Sequence, residues 1–149
     1  INKYSIVKVS GKTKFEYFKK LASKLDRGLL FLETINQCDN LPYPSVHSKN
    51  KESDYNLEQF KEGKIPILSS IGQLKAGITF KNLNTCIILH CYSSNNKAIQ
   101  KIGRALNYVE NQTAKIHILC LDNTRDVSWV QSGLAEFDKN KIKWIKNLN

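Results

Sequence analysis

LLFLETINQCDNLPYPSVHSKNKESDYNLEQFKEGKIPILSS, residues 29–70, decides the fold. It holds three short apolar runs: LLFLE (29–33), PSVHS (44–48) and IPILSS (65–70). LLFLE shows no polar alternation, as expected of a strand buried on both faces of a parallel sheet. Between the first two runs, Thr34 introduces a short helix through Gln37 and Asn40 that must end before Pro42. Between the second and third, Ser53 or Asp54 can cap a helix carrying Tyr55, Leu57 and Phe60, which stops at Gly63. Strand, helix, strand, helix, strand is the pattern of a parallel sheet covered by helices.

The same alternation continues outward. Upstream lies a strand around residues 4–9 and a helix over 14–25, with Phe15, Phe18, Leu21, Ala22 and Leu25 at helical spacing. Gly11-Lys12-Thr13 imitates the end of a phosphate-binding P-loop, but Ile6 stands where that loop needs a glycine. Thr13 reads more simply as a helix cap. Downstream, residues 71–83 lack a clean period and hold Gly72 and Gly77, so a loop with a short helical piece is expected. CIILHC (86–91) and IHILCL (116–121) are further strands. A last helix from about Thr124 places Val127, Val130, Leu134 and Phe137 on one face. Trp144 and Ile145 form a final apolar patch, as a short strand or helix. The reading is one α/β domain over residues 1–149, a three-layer α/β/α sandwich with a central, mainly parallel sheet. Ligands of such sheets meet the loops at the strands' carboxyl ends. Thr34, His47, the 69–77 loop and the polar turn 93–96 all follow strands and share that edge.

The segment KAIQKIGRALNYV (97–109) is an amphipathic helix with Ile99, Ile102, Leu106 and Val109 on its apolar face. Gln100, Gly103, Arg104 and Asn107 share another stripe. A glycine inside a helix costs about 1 kcal/mol relative to alanine, so a close approach there is expected. Gln100 and Arg104 suit a phosphate, because the guanidinium fork donates two hydrogen bonds at once. An ordinary solvated face with Gly103 easing packing is the other reading, and pattern alone leaves both open.

The charge of +10, from 23 basic against 13 acidic side chains, favours an anionic partner, nucleic acid first. A lysine-rich composition serving solubility explains the charge as well. No run is long enough to span a bilayer, and no membrane role is expected. Cys38, Cys86, Cys91 and Cys120 form no CxxC pair and read as buried free thiols, with no metal site. His47, His90 and His117 read as structural histidines. The chain begins at Ile1 and contains no methionine, which reads as a piece of a longer protein.

In order along the chain, these motifs resemble the second RecA-like domain of superfamily 2 helicases, the C-terminal half of a two-lobed motor. The likeness spans roughly residues 15–121. LLFLET (29–34) resembles motif IV. VHSKNKESDYNLEQFKEGKIPIL (46–68) resembles the histidine-ended strand, helix and F-x-x-G ending that follow it. SSIGQLKAGITFKNLNTCIIL (69–89) resembles motif V, most like that of phage branch-migration DNA helicases. QKIGRALN (100–107) resembles motif VI, Q-x-x-G-R-x-x-R. The resemblance implies a RecA-like fold without its own P-loop. It assigns Gln100 and Arg104 to catalysis, and Gly77, Gly103 and Arg104 to the nucleotide. It assigns Thr34, His47, Ser69, Ser70, Gly72 and Thr79 to the nucleic-acid strand, with the 47–51 loop adding contacts. ATP and Mg2+ would be held mainly by an N-terminal lobe outside this chain.

The second motif VI arginine position holds Asn107, which has no cation; Arg125 or a lysine could supply one. The expectation is therefore the C-terminal lobe of an ATP-dependent helicase or translocase, monomeric and inactive in isolation, on DNA rather than RNA. It would act in the cytoplasm of a bacterial or phage-infected cell. Two alternatives stay open: an inactive helicase-like nucleic-acid-binding module, and an unrelated doubly wound nucleotide- or flavin-binding protein.

Overall fold

The structure, a computed structural model, describes residues 2–9, 14–71, 80, 82–89, 114–121, 124–134 and 139–147. Seven strands form one sheet: β1 (Asn2–Val9), β2 (Gly28–Leu32), β3 (Ser45–Val46), β4 (Ile67–Ile71), β5 (Thr85–Ile88), β6 (Ala114–Leu121) and β7 (Ile142–Asn147). Their order is β3-β4-β2-β5-β6-β1-β7, and every described pairing is parallel. The described helices are α1 (Lys14–Ser23), α2 (Ile35–Asp39), α3 (Ser53–Lys61) and α4 (Arg125–Gly133), with a 3-10 turn at Lys139–Lys141.

The sheet is covered on both sides because each central strand is apolar on both sides. Leu29 of β2, Leu68 of β4, Cys86 and Ile88 of β5, and Ile116 and Ile118 of β6 share one cluster, with Phe60 of α3 and Val130 of α4. Leu30 and Leu32 of β2, Ile67 of β4, Ile87 of β5 and Leu119 of β6 share the other, with Phe18 of α1 and Cys38 of α2. Successive residues of a strand point to opposite faces, so α1 and α2 form one outer layer and α3 and α4 the other. Each fully buried Leu, Ile or Phe in these clusters contributes about 1.5–3 kcal/mol. This is the expected three-layer α/β/α arrangement.

Local chemistry sets the boundaries. α2 begins with a capping box: Gln37 N–H donates to Thr34 Oγ1 at 3.2 Å, and Thr34 N–H donates to Gln37 Oε1 at 3.1 Å. Gly63, at φ +85°, lets the chain leave α3 by a left-handed turn. The cap of α3 differs from expectation. Its N-cap is Glu52, with no side-chain bond, because the Ser53 hydroxyl turns back to the carbonyls of His47 (2.9 Å) and Asn50 (2.7 Å). β4 starts at Ile67 rather than Ile65. Residues 65–66 are held from outside instead: Arg27 Nη1 donates to Ile65 O at 3.0 Å, and Gly28 N–H donates to Pro66 O at 3.0 Å. The last apolar patch is a strand, β7, beside β1. The motif VI helix at 97–109 and the loop at 72–79 lie outside the described residues.

Candidate functional site

In a parallel sheet all carboxyl ends lie along one edge. There β2 runs into Thr34, β3 into His47, and β6 towards Arg125 at the start of α4. β3 and β2 are separated only by β4, so Thr34 and His47 lie two strands apart along that edge. Thr34 is exposed. Its oxygen accepts the Gln37 amide, and its own O–H remains a donor able to meet an anion.

The loop after β3 is built by a polar network. Asn50 Nδ2 donates to both Ser45 O and Ser45 Oγ at 2.9 Å, and buried Asn56 adds a third bond to Ser45 O at 2.9 Å. Asn50 Oδ1 accepts from Glu52 N–H at 3.0 Å, and Ser53 Oγ accepts from His47 N–H at 3.1 Å. Lys49 N–H donates to His47 Nδ1 at 3.2 Å, which leaves Nε2 as the ring nitrogen able to donate. Nε2 faces Asp39 Oδ1 at 3.1 Å, tying the loop to the end of α2. The His47 side chain is 5% exposed. It is a positioning group, and a strand would meet Ser48, Lys49 and Lys51, which are exposed. Two ammonium groups on a fixed loop suit phosphodiester oxygens, which set register without reading sequence.

Two expected contacts need correction. Ser69 and Ser70 are 0% exposed inside β4. The Ser69 hydroxyl donates to Pro44 O at 3.3 Å. The Ser70 hydroxyl donates to Leu30 O at 3.4 Å. Their polarity is absorbed by neighbouring strands, so their side chains face the interior rather than a ligand. Gly72, Gly77, Thr79, Gln100, Gly103, Arg104 and Asn107 lie outside the described residues, as do His90, Cys91 and the turn 93–96. Arg125 is exposed at the carboxyl edge, two strands from β2.

Sequence reasoning missed Asp39, Asn50 and Asn56. Asn56 carried a signal, since an amide on the inward stripe of α3 beside Phe60 needs a buried partner. Asp39 carried none, because its partner is set by how α2 packs over β2 and β4, beside which β3 lies. Cys38, Cys86 and Cys120 are buried thiols outside any disulfide, as expected, and burial pushes the Cys86 thiol well up. His117 is half-buried, with its pKa lowered first by desolvation and then by Lys115. Among the described residues, no helix is long and apolar enough to cross a membrane.

The family described as helicase conserved C-terminal domain matches residues 4–109. The chain is similar to probable ATP-dependent RNA helicase DDX17 of Mus musculus, 26% identical over 105 residues, covering 63% of this chain and 16% of that protein. It is similar in fold to the C-terminal domain of the DEAD-box protein Dbp5, with a TM-score of 0.74 and 14% identity over 98% of this chain and 90% of that one. S. cerevisiae Dbp5 bound to RNA and ADP BeF3 gives a TM-score of 0.76 and 14% identity, covering 98% of this chain and 41% of that chain. The chain thus spans less than a fifth of the DDX17 length that it matches.

Proposed function

Because the chain belongs to the family of helicase conserved C-terminal domains, we propose that it is the C-terminal motor lobe of an ATP-dependent helicase or translocase. ATP and Mg2+ would sit between this lobe and an N-terminal lobe carrying the P-loop. The Gly11-Lys12-Thr13 triplet supports that division, since Ile6 replaces the glycine a P-loop needs. Gln100, Gly103 and Arg104 carry the motif VI role: closure of the lobes brings Arg104 to the phosphates, where its fork stabilises charge developing during hydrolysis. Gly77 and Gly103 allow close backbone approach to the nucleotide.

The strand runs along the carboxyl edge in this reading. The observation that carries it is the placement of Thr34 and the rigid 47–51 loop, with exposed Lys49 and Lys51, on that one edge. Gly72 and Thr79 belong to the same path. RNA is the proposed track. The relatives reported above are named as RNA helicases or were studied with RNA, and the DNA preference drawn from a phage branch-migration likeness finds no support in them.

The test uses the full-length protein. Arg104→Ala is expected to lower RNA-stimulated ATP turnover by about 10³-fold or more, with nucleotide-free RNA binding nearly intact. Unchanged turnover removes Arg104 from the catalytic role. Asn107 favours a second reading, an inactive nucleic-acid-binding module. Salt-dependent RNA binding with no ATP turnover in the full-length protein selects it.

A further inference from the structure

α3 opens directly out of the 47–51 loop, at the carboxyl end of β3. Its first turn carries Tyr55, which is 63% exposed. Single exposed apolar residues are ordinary on a protein surface, so exposure alone assigns Tyr55 nothing. Its position relative to the loop lysines is what matters. The turn from Asn50 to Ser53 is closed by Ser53 N–H donating to Asn50 O at 3.2 Å, and Glu52 sits at φ −91°, ψ 9°, the values of the third residue of a type I turn. That turn has near-helical geometry, and Asn56 N–H donates to Glu52 O at 2.8 Å to continue it into α3. Lys51 therefore stands one helical turn before Tyr55. Residues four apart on a helix share a stripe, with Cβ atoms about 5–6 Å apart. Asn56 and Phe60 are buried on the inward side of α3, which puts the Lys51–Tyr55 stripe on the outward side.

The stripe rests on a fixed base. Asn50 Nδ2 bonds both Ser45 O and Ser45 Oγ, the Ser53 hydroxyl bonds His47 O, and buried Asn56 bonds Ser45 O. An aromatic face held at a set distance from an ammonium group loses little freedom when a ligand arrives.

Charge on this surface sorts the ligands. Glu58 is paired with Lys61 at 3.7 Å. Glu52 and Asp54 stand at the amino end of α3, where negative charge complements the helix dipole. They hold a phosphate away from the Tyr55 ring, while exposed Lys49 and Lys51 attract one to the loop. The ring is left to an uncharged partner, and the face of a base adjoining that phosphate fits, since every base has a π-face. A basic peptide is the other candidate for an aromatic among acids. It finds Glu58 already paired and meets Lys49 and Lys51 as like charges.

We propose that Tyr55 is a base-stacking residue of the strand path, its ring against one base while Lys49 and Lys51 hold the adjoining phosphates. This rests on the motor-lobe reading and adds to it. Phosphate contacts on the rim are indifferent to the presence of a base, and Tyr55 makes the grip depend on one.

The test is RNA binding by the full-length protein, followed by anisotropy with a short fluorescein-labelled oligoadenylate and with an abasic ribose-phosphate strand of the same length. Tyr55→Ala is expected to weaken oligoadenylate binding about tenfold, within the span measured for base–aromatic stacking, and to leave abasic-strand binding as in the parent. Tyr55→Phe should keep most of the oligoadenylate affinity. Salt dependence in Tyr55→Ala should match the parent's, because no charge is removed. K49A/K51A should flatten the log–log slope by about 1.4, from two contacts at about 0.7 each. Undiminished oligoadenylate binding by Tyr55→Ala, or an equal loss on both strands, overturns the proposal. So does a Tyr55-dependent complex with a lysine-rich peptide, which assigns the face to a protein. If K49A/K51A weakens binding and Tyr55→Ala does not, Tyr55 is excluded and the motor-lobe reading stands. If neither variant alters binding, the strand does not cross this loop, and the edge path falls with the proposal.

Discussion

Replacing Arg27 by alanine tests how the framework below the rim is held. Arg27 stands immediately before β2 and reaches the turn between α3 and β4. Nη2 donates to Phe60 O at 2.6 Å and Nη1 to Ile65 O at 3.0 Å, and the guanidinium lies 4.3 Å from the centroid of the Phe60 ring. One side chain thus pins the last turn of α3 and the entry to β4, and the neighbouring Gly28 N–H fastens Pro66 O. A hydrogen bond from a charged donor contributes about 1.5–3 kcal/mol, and a cation over an aromatic face from about 0.5–1 kcal/mol at an exposed site to about 2 kcal/mol when desolvated; Phe60 is buried and Arg27 half-buried. Phe60 O also accepts from Gly63 N–H at 3.0 Å, so water and that amide recover part of the loss. The expected cost of Arg27→Ala is about 2–3 kcal/mol, or about 5–10 °C in Tm for a chain of this length. In urea the midpoint should fall by about 1 M with an unchanged slope. Arg27→Lys keeps the charge but loses the fork and the flat stacking surface, so it should recover less than half of the loss. A cost of Arg27→Ala below about 0.5 kcal/mol would show that water replaces both bonds without penalty, and the reasoning would be refuted.

Two further outcomes are expected. Burial, and to a smaller degree Lys115, hold the His117 pKa below the ordinary 6.5. The unfolded chain therefore takes up a proton first, and stability is lost as pH falls below about 6.5, by at most about 1.4 kcal/mol per pH unit. Urea midpoints between about pH 5 and pH 7.5 should show this slope, with less of it in His117→Gln; identical slopes would rule it out. Thr34→Ala removes the capping box of α2 and should cost about 1 kcal/mol by the same assay, with Thr34→Ser nearly neutral. Equal stability of Thr34→Ala and its parent would show that the cap contributes nothing.

Much of the architecture was readable in one dimension, since its signals are local. LLFLE lacks polar alternation because β2 is covered on both faces, and Phe18 and Ala22 of α1 recur at helical spacing because one face of that helix meets the sheet. Thr34 and Gly63 mark helix ends through bonds and dihedrals set within a few residues. The parallel sheet and its carboxyl edge follow from that alternation, and Thr34 and His47 fall on the rim because each follows a strand. The motif order that marks the helicase family is likewise a property of the string.

The contacts that turn this outline into a site were settled only by folding. Ser69 and Ser70 look like loop hydroxyls at the end of an apolar run. They became interior groups because Pro44 and Leu30, 25 and 40 residues away, bring carbonyls to them once β3, β4 and β2 pair. Asp39 meets His47 because α2 packs over β2 and β4, the neighbour of β3, and Arg27 meets Ile65 O across 38 residues of chain. The sequence by itself determined which segments become strands and helices, because periodicity and capping act over a turn or a pleat. The tertiary structure alone decided which polar groups are consumed inside and which remain on the surface, because strand order brings together partners that no local pattern connects.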